Sequence, residues 1–372
     1  MEFKIHRDTF WEGIQKTLGI VEKKTTMPIL NNVLIKTEDN KIKIVATDKE
    51  IVLIAEYEAE IIAQGDITIS ARKLYEMIRE IQGEDIHFQA NEHHWVTMTC
   101  EKVIYKIPGL PADDFPSVLD DSDEVELFHI KGKILLELIY KTSFAMSTDE
   151  MRKNLNGVLL EAWKEDDQNK VRMVATDGHR LSMVDMGMEG YFLQLEKGII
   201  IPRKGLGEIR KLVEAQSDDI LFGVRRGMCI LKTDGTTLKV SLIDADYPDY
   251  RRVMPAEKGV MVSFDRGMVL HSLRRMNVIS SERYSGVIMT LTEGKMVLNS
   301  TNPDVGEAKD EIDVSYQGQE MAVGYNVKYL LDAIEVIDSE RVIFEVGQGM
   351  KPGIVKPADN DKYMCIIMPL KI

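Results

Sequence analysis

An internal repeat is the feature that most constrains the fold of this 372-residue chain. At three places a short segment of polar or small residues precedes an apolar strand: MPILNNVLI (27–35), RKNLNGVLL (152–160) and RYSGVIMTL (283–291). Val45 and Val174 occupy matching places in the first two copies and lie 129 residues apart. Similarity at a fixed period indicates one structural unit copied along the chain. Three units of about 124 residues account for the full length, an ordinary domain size.

Further segments recur in the same order within each unit. A strand pair follows as KIKIVATDKEIVL (41–53), as KVRMVATDGHRLS (170–182) and, more weakly, as KMVLNSTNPDVG (295–306). A strand that leads into a helix comes next, in DITISARKLYEMIREI (66–81), GIIIPRKGLGEIRKLV (198–213) and MAVGYNVKYLLDAIEVI (321–337). Each unit also opens with a short alternating strand and an amphipathic helix. We therefore predict two helices and about eight short strands in each unit.

Many of these strands alternate apolar and polar residues, as LKVSL (238–242) does. Alternation is typical of antiparallel sheets with one wet face, so helices need cover only one side of each sheet. The polar stretches DDSDE (120–124) and MPAEKG (254–259) suit exposed linkers. The sequence thus predicts an α+β protein with domains at 1–121, 125–253 and 260–372. Three unrelated α+β domains are the alternative, which the matching order disfavours.

Composition narrows the class of protein. The chain has 47 Lys and Arg against 61 Asp and Glu, a net charge of −14, which excludes a simple basic DNA-binding module. There is no long uncharged apolar run for a membrane span, and MEFKIHRDTF carries charges where a signal peptide is apolar, so we expect a cytoplasmic protein. Cys100, Cys229 and Cys365 lie far apart and predict ordinary thiols. We predict neither a metal nor a cofactor.

The order LNGVLL, VATDGHRL, IIIPRKG, DADYPDYRRVMP and MPLKI resembles that of the bacterial sliding clamps, the β subunits of DNA polymerase III, over the full chain. The resemblance implies three repeated clamp-type domains, each with two helices packed on antiparallel sheets, that form half of a closed dimeric ring. It also implies a head-to-tail homodimer with no catalytic residues, which encircles duplex DNA and tethers the replicative polymerase. An ATP-dependent clamp loader and other replication and repair proteins with clamp-binding motifs are the further partners it implies.

A ring that slides must attract phosphates without reading bases, because phosphate contacts carry no sequence information. Basic residues should therefore gather on the helices that line the hole, while the net negative charge falls on the outer sheets and loops. The alternative is that these are ordinary solvated side chains. By family position, the predicted DNA-binding residues are Lys24, Arg79, Arg152, Arg203 and Lys204. Lys153 is predicted with them, although many relatives have an aromatic residue in that stretch.

Head-to-tail contacts close a ring only where two different surfaces match. The strand at 100–107 resembles the family's first-domain edge and is basic, whereas 302–314 resembles the third-domain edge and is largely acidic. A basic edge facing an acidic edge favours pairing between unlike edges, although Gly306 and Lys309 interrupt the acidic pattern. Two ordinary solvated strands are the alternative. The predicted dimer interface comprises Lys73, Lys102, Ile104, Lys106, Ile107, Val278, Ile279, Asp304, Glu307 and Asp310.

The resemblance also implies a pocket between the second and third domains that receives short peptides with apolar anchors. Apolar walls with a few fixed polar groups suit such a ligand, and Met side chains adapt to several partners. Arg180 and Arg252 are expected to close over the peptide. The alternative for IIMPL (366–370) is a buried last strand, against which Pro369 argues. The predicted pocket comprises Leu155, Thr176, Gly178, His179, Arg180, Leu181, Pro248, Arg252, Val253, Tyr284, Asn326, Tyr329, Ile366, Met368, Pro369 and Leu370.

Asp177 and His179 in TDGHR are candidates for acid–base catalysis. An Asp/His pair is weak evidence without a nucleophile and an orienting group, and the sister segment TDKEI has no His. No GxxxxGK[ST] loop is present to cradle phosphates, so loading of the ring should need a separate ATPase. Two other classes stay open at this point: a hydrolase or transferase built on repeated α+β domains, and a β-rich binding protein of no fixed ring shape.

Overall fold

The computed structural model describes residues 1–21, 27–117, 125–190, 194–215, 219–254, 259–281, 283–347 and 349–371. Within these ranges the chain forms 25 strands and six α-helices. No helix in the described ranges is long and apolar enough to cross a membrane. The three cysteines are buried, unpaired thiols.

Each of three consecutive parts of the chain contains two helices. The first part comprises β1 (Glu2–His6), α1 (Arg7–Thr17), β2 (Asn32–Glu38), β3 (Lys41–Thr47), β4 (Ile51–Glu58), β5 (Glu60–Ala63), β6 (Asp66–Ser70), α2 (Ala71–Glu80), β7 (Asp85–Ala90), β8 (Trp95–Cys100) and β9 (Val103–Pro108). The second comprises β10 (Phe128–Lys131), α3 (Gly132–Thr142), β11 (Gly157–Glu165), β12 (Gln168–Thr176), β13 (Arg180–Met188), β14 (Leu195–Pro202), α4 (Arg203–Glu214), β15 (Asp219–Arg225), β16 (Met228–Thr233) and β17 (Thr236–Ser241). The third comprises β18 (Val260–Asp265), α5 (Arg266–Val278), β19 (Gly286–Thr292), β20 (Lys295–Asn302), β21 (Gly306–Asp313), β22 (Met321–Asn326), α6 (Val327–Glu335), β23 (Arg341–Val346), β24 (Gly353–Pro357) and β25 (Tyr363–Ile367).

The three parts repeat one order of elements among the described residues. Each has a strand, a helix, four strands, a second helix and three strands, and the first part adds the short strand β5. The predicted two helices and about eight strands per unit are therefore confirmed. Neighbouring strands pair antiparallel, as the alternating pattern predicted.

Each repeat divides its strands between two half-sheets. The first strand and the last three form a flanking half-sheet, and four strands that lie between the two helices in sequence form an inter-helix half-sheet. In the second repeat the flanking order is β10-β15-β16-β17, and the inter-helix order is β14-β11-β12-β13. The strand β5 extends the first flanking half-sheet beside β1.

Half-sheets of consecutive repeats join into larger sheets. At the first joint, β17 of the second repeat pairs with β4 of the first, which makes one eight-stranded sheet. At the second joint, β25 of the third repeat pairs with β13 of the second, which makes another. The strand β9 then ends a five-stranded sheet and β21 ends a four-stranded sheet. Within the described residues, β9 and β21 pair on one side only.

Contacts divide the chain into two compact units, 1–132 with 207–242, and 133–206 with 243–372. Each unit contains two complete sheets, so the division passes through the second repeat, whose half-sheets belong to different sheets. The domain bounds predicted from the sequence differ from these units, because they follow the repeat along the chain instead of the contacts between strands. They stay a prediction.

Side-chain caps fix where several helices begin. The Ser70 side chain accepts a hydrogen bond from the Lys73 N–H, and Asp265 accepts one from Met268. Such caps satisfy amides that have no partner within the first helical turn. Leu74 and Ile78 of α2 are fully buried at helical spacing, so one face of this helix packs against the protein core.

Candidate functional site

A mostly apolar cavity of about 160 Å³ lies at the second joint. Residues from the second repeat, from the chain that follows β17 and from the end of β25 converge on it. Its walls are Leu155, Thr176, Gly178, His179, Arg180, Leu181, Pro248, Asp249, Tyr250, Val253, Ile366 and Met368. Ten of the sixteen predicted pocket residues are among them. The cavity offers apolar side chains with a few polar groups at its rim, which suits a small apolar anchor.

The turn between β12 and β13 forms one side of the cavity. The Asp177 carboxylate accepts hydrogen bonds from the backbone N–H groups of His179 (2.9 Å) and Arg180 (3.0 Å). Gly178 has φ +88°, a conformation that favours glycine because a side chain would be strained there. Asp177 is thus engaged in holding a tight turn that leaves His179 exposed at the rim.

Arg180 lies buried at the base of this turn. Its guanidinium donates to Asp177 (3.1 Å), to Asp332 (2.6 Å) and to the Phe144 carbonyl (2.6 Å). It also stacks 4.4 Å from the centre of the Tyr329 ring. Two carboxylates and a carbonyl compensate the buried charge, as burial requires. The donors are directed at groups of the chain itself, so we assign Arg180 to the framework of the cavity instead of to closure over a ligand.

The opposite side is a wall segment, residues 243–254, which crosses one face of the sheet. The Ile243 N–H donates to the Ile200 carbonyl (2.9 Å), and the segment ends in a short 3-10 helix, Tyr250–Val253. Tyr250 is buried in a cluster with Leu159, Val174, Leu181 and Ile366. Burial raises the pKa of the neighbouring Tyr247 hydroxyl, so that side chain remains neutral.

Asp249 and Tyr250 line the cavity but were absent from the predicted set. Both lie between predicted residues in DADYPDYRRV, so the run itself held the signal. Asp249 accepts a hydrogen bond from Arg252 (3.0 Å), whose side chain is exposed and lies outside the lining.

The C-terminal tail closes the remaining side. The Met368 N–H donates to the His179 carbonyl (2.9 Å), which extends the pairing of β25 with β13. The Leu370 N–H donates to the Gly324 carbonyl (2.8 Å) in β22. Tail residues therefore tie two sheets together while Met368 faces the cavity.

The other predicted pocket residues form a second group beside the cavity. Asn326 caps α6 and donates to the Ser285 hydroxyl (3.0 Å), and Gly286 lies next to the Leu370 side chain. Tyr329 connects this group to the cavity through its ring contact with Arg180. Tyr284, Asn326, Tyr329, Pro369 and Leu370 lie outside the lining of the cavity itself.

Four of the predicted DNA-binding residues come together in one unit. The Arg203 N–H donates to the Asn156 carbonyl (2.9 Å), which brings the start of α4 to the 3-10 helix Lys153–Leu155. The Arg203 guanidinium also donates to the carbonyls of Met146 (2.9 Å) and Ser147 (2.8 Å). The residues of this basic cluster are all exposed: Arg152, Lys153, Arg203 and Lys204. Arg79 is exposed on α2 beside Glu80, and Lys24 lies outside the described residues.

On the basic edge, Lys102 and Lys106 are exposed and Ile104 has 63% of its surface accessible. Ile107 is buried, so the two faces of β9 differ. Lys73 lies on α2 and pairs with Glu76 (2.8 Å).

The acidic edge is β21. Glu307 is exposed, but Asp310 faces α5 and pairs with Arg275 within the chain. Val278 at the end of α5 is 80% accessible, an unusual exposure for valine. The carbonyl of Ile279 and the N–H of Asp304 are both held by the side chain of Asn302.

Three family models match the chain in succession: the N-terminal domain of the DNA polymerase III β subunit at 1–120, the central domain at 129–249 and the C-terminal domain at 251–371. The chain belongs to this family, the bacterial β sliding clamps. It shares 32% identity with the β sliding clamp of Pseudomonas aeruginosa and 30% with that of Vibrio cholerae, with full coverage of both chains in each case.

Solved structures agree over the whole chain. The P. aeruginosa DNA polymerase III β subunit matches with a TM-score of 0.93 at 32% identity, and each chain is fully covered. The Caulobacter crescentus clamp, with polyethylene glycol bound to a putative β-motif tethering region, matches with 0.94 at 29%, over 100% of this chain and 99% of that one. The family, one of non-catalytic processivity factors, confirms the three clamp domains and the absence of an enzyme activity, and it decides against the hydrolase and transferase class.

Proposed function

We propose that this sliding clamp works in the cytoplasm as a head-to-tail homodimer whose ring is closed by β9 of one protomer and β21 of its partner. The observation that carries this proposal is the joint itself. Two internal joints each pair the last strand of one repeat with an inter-helix strand of the repeat before it. Among the described strands, repetition of that rule leaves β9 and β21 as the edges that would pair between protomers.

The internal joints also supply a register. The first joint pairs Lys239 with Val52, and the second pairs Ile366 with Leu181. Val103 of β9 and Thr236 of β17 are equivalent, because each follows the hairpin that leads into its strand. By the same comparison of turns, Gly306 of β21 is equivalent to Ile51 of β4 and to Arg180 of β13. Transfer of the same register places Lys106 opposite Glu307, Ile104 opposite Lys309 and Ile107 opposite Gly306.

This register keeps equivalent faces together. Ile107 and Asp310 both point to the helix-covered side of their sheets, whereas Lys106 and Glu307 are both exposed on the other side. Opposite charges directly across two strands stabilise the pairing. Pairing of β9 with a second β9 would bring lysines together, so the charges also favour head-to-tail association.

The cavity at the second joint is proposed to hold the apolar anchor of partner peptides, with the polymerase, the clamp loader and other clamp-binding proteins as its ligands. Its apolar walls and exposed rim support this role. A sliding clamp of Bartonella birtlesii at 29% identity, TM-score 0.93, with full coverage of both chains, has been solved with griselimycin bound. Related clamps thus hold ligands, which is consistent with a receptive site here.

The basic cluster at Arg152, Lys153, Arg203 and Lys204 is proposed to contact DNA together with Arg79 and Lys24. These side chains are long cations, which bind phosphate without reading base edges. Contact of this kind is strongly dependent on salt and independent of sequence.

The ring proposal is tested by retention on DNA. The protein is loaded by a clamp loader and ATP on a nicked circle, and half of the sample is then linearised. We expect clamps to remain on circles at high salt and to leave linear DNA through its ends. Equal retention on the two forms would show that the protein does not encircle DNA. The control is a Lys106→Glu variant, in which two acids would face each other between β9 and β21. We expect this seam, the pairing of β9 with β21, not to close in the variant.

A further inference from the structure

A polar row crosses the sheet directly beside the candidate pocket. Glu161 on β11, Arg172 on β12 and Asp185 on β13 are paired in register, so their side chains share one face. The next row on that face is apolar and contains Leu159 and Val174, which pack in the cluster under the wall segment. The polar row thus adjoins the apolar floor on which the wall segment rests.

Arg172 is the centre of this row. Its Nε and Nη2 donate to the two oxygens of Asp185, both at 2.6 Å, in a bidentate pair. Its guanidinium also stacks 5.0 Å from the centre of the Trp163 ring. The hydrogen bonds that Arg172 donates to the Asp185 carboxylate raise the pKa of Arg172 above its already high usual value, so its charge is permanent. A bidentate, stacked arginine has a fixed orientation that lysine does not reproduce.

From this fixed position the row reaches the wall segment. Arg172 Nη1 donates to the Tyr250 hydroxyl (3.1 Å), and that hydroxyl donates to Glu161. Glu161 also accepts a hydrogen bond from Arg251 (2.9 Å), whose guanidinium lies over the Tyr250 ring. The row therefore holds two consecutive residues of the 3-10 helix that carries Tyr250 and Val253 into the cavity.

The equivalent row of the first repeat forms its ion pairs within one sheet. Lys36, Lys43 and Glu56 are paired in the same order across β2, β3 and β4. Lys43 pairs with Glu38 (3.1 Å) and Glu56 (3.4 Å), within its own sheet. In the first repeat Phe115 takes the place of Tyr250 in the corresponding apolar cluster, and its ring has no hydroxyl to receive a hydrogen bond.

We propose that Arg172 is a positioning residue for the peptide pocket: held by Asp185 and Trp163, it fixes the Tyr250 hydroxyl and with it the wall on which a peptide anchor packs. This inference rests on the proposed role of the cavity as a peptide site. Arg172 need not touch the peptide, because it acts through Tyr250.

The test is a double-mutant cycle on the full-length protein with a fluorescein-labelled hexapeptide that ends in Leu-Phe, read by anisotropy. We expect Arg172→Met to weaken binding about tenfold and Tyr250→Phe about fivefold, since groups in one network have coupled effects. The double variant should be no weaker than Arg172→Met alone. Lys43→Met, the same change in the equivalent row, should bind as the unaltered protein does.

Several outcomes would overturn the proposal. Binding by Arg172→Met that equals the unaltered protein would exclude a positioning role, and so would independent effects that multiply to about fiftyfold in the double variant. If Arg172→Met does not fold, Tyr250→Phe decides alone, because it keeps the buried ring and removes only the hydroxyl. Absence of peptide binding by the unaltered protein would instead reject the proposed role of the cavity as a peptide site. The dimer and its retention on circular DNA should be unchanged in every variant.

Discussion

The first and second joints share one architecture and differ in what they place at it. Both pair a last strand with an inter-helix strand in the same register. At the second joint Ile366 lies opposite Leu181 and the apolar cavity opens beside them. At the first joint the residue opposite Val52 is Lys239, which is only 4% exposed. A single position thus contributes an apolar wall at one joint and a buried, chargeable side chain at the other.

The turns that precede the joints differ as well. Both contain an Asp whose carboxylate accepts two backbone N–H groups, Asp48 in one and Asp177 in the other. Gly178 adopts the left-handed conformation at the second joint, whereas Lys49 adopts it at the first, with φ of 81°. The repeat thus provides a shared scaffold, and a few side chains make the two joints differ.

Changes to residues 368–372 should give the largest effect, because Met368 lines the cavity at the second joint. Deletion of residues 368–372 removes Met368 from the cavity and Leu370 from its bond to Gly324. We expect no measurable binding of polymerase by surface plasmon resonance, while sedimentation still shows a dimer. Removal of residues 371–372 alone should retain binding. Unchanged polymerase affinity in the longer deletion would count against the pocket.

The seam tests whether a third joint follows the same rule between protomers. Reversal of Lys102 and Lys106 to Glu places acids opposite the acidic strand, and we expect monomers in analytical ultracentrifugation at micromolar concentration. Like charges across paired strands are destabilising. Addition of Glu307→Lys should restore part of the association if Lys106 and Glu307 are opposite each other. A dimer of unaltered strength in the first variant would refute the seam, and absence of rescue would refute the register.

Exchange of Ile366 and Lys239, the residues that distinguish the two joints, should have an intermediate effect on peptide affinity. Ile366→Lys introduces at the second joint the residue of the first, and burial of an unpaired charge in an apolar wall is unfavourable. We expect peptide affinity to fall about hundredfold, equivalent to about 3 kcal/mol. Fluorescence anisotropy measures it, and Lys239→Ile is the reciprocal control that should leave affinity unaltered. Tight binding by Ile366→Lys would mean that this residue does not shape the site.

The smallest effect, a change in the free energy of unfolding, is expected from substitutions in the turns that contain Gly178 and Lys49. Gly178→Ala forces a side chain into the left-handed region, at a cost of about 1 kcal/mol in the free energy of unfolding. Lys49→Gly relieves the same strain at the first joint and should stabilise the protein or leave it unchanged. Denaturant unfolding measures both. Changes of the same sign would show that the turns are not equivalent.

Much of the fold could be predicted because its signals are local. Alternation in LKVSL and helical spacing in RKLYEMI each depend on adjacent residues, and the repeat shows them three times over. The joints could not be predicted in the same way, because pairing of β17 with β4 connects residues far apart in sequence. The resemblance predicted ten of the twelve residues that line the cavity, because its motifs contain them.

Side-chain direction was harder to predict. Arg180 was expected to close over a ligand, yet two carboxylates and a carbonyl hold it inside the framework. Asp310 was placed in an acidic edge, yet it pairs with Arg275 on the helix side. In both cases a long-range partner decides the direction, and no local pattern reports that partner.

The exchange of strands between repeats has a consequence for how the chain acquires its structure. During synthesis β4 emerges early, but its neighbour β17 spans Thr236–Ser241 and follows more than 170 residues later. Until then β4 presents open backbone groups to any other strand, and unpaired edges invite wrong association. Contacts between such distant residues also slow folding. We therefore expect the free edge of β4 to stay open to wrong pairing until residues 236–241 have left the ribosome.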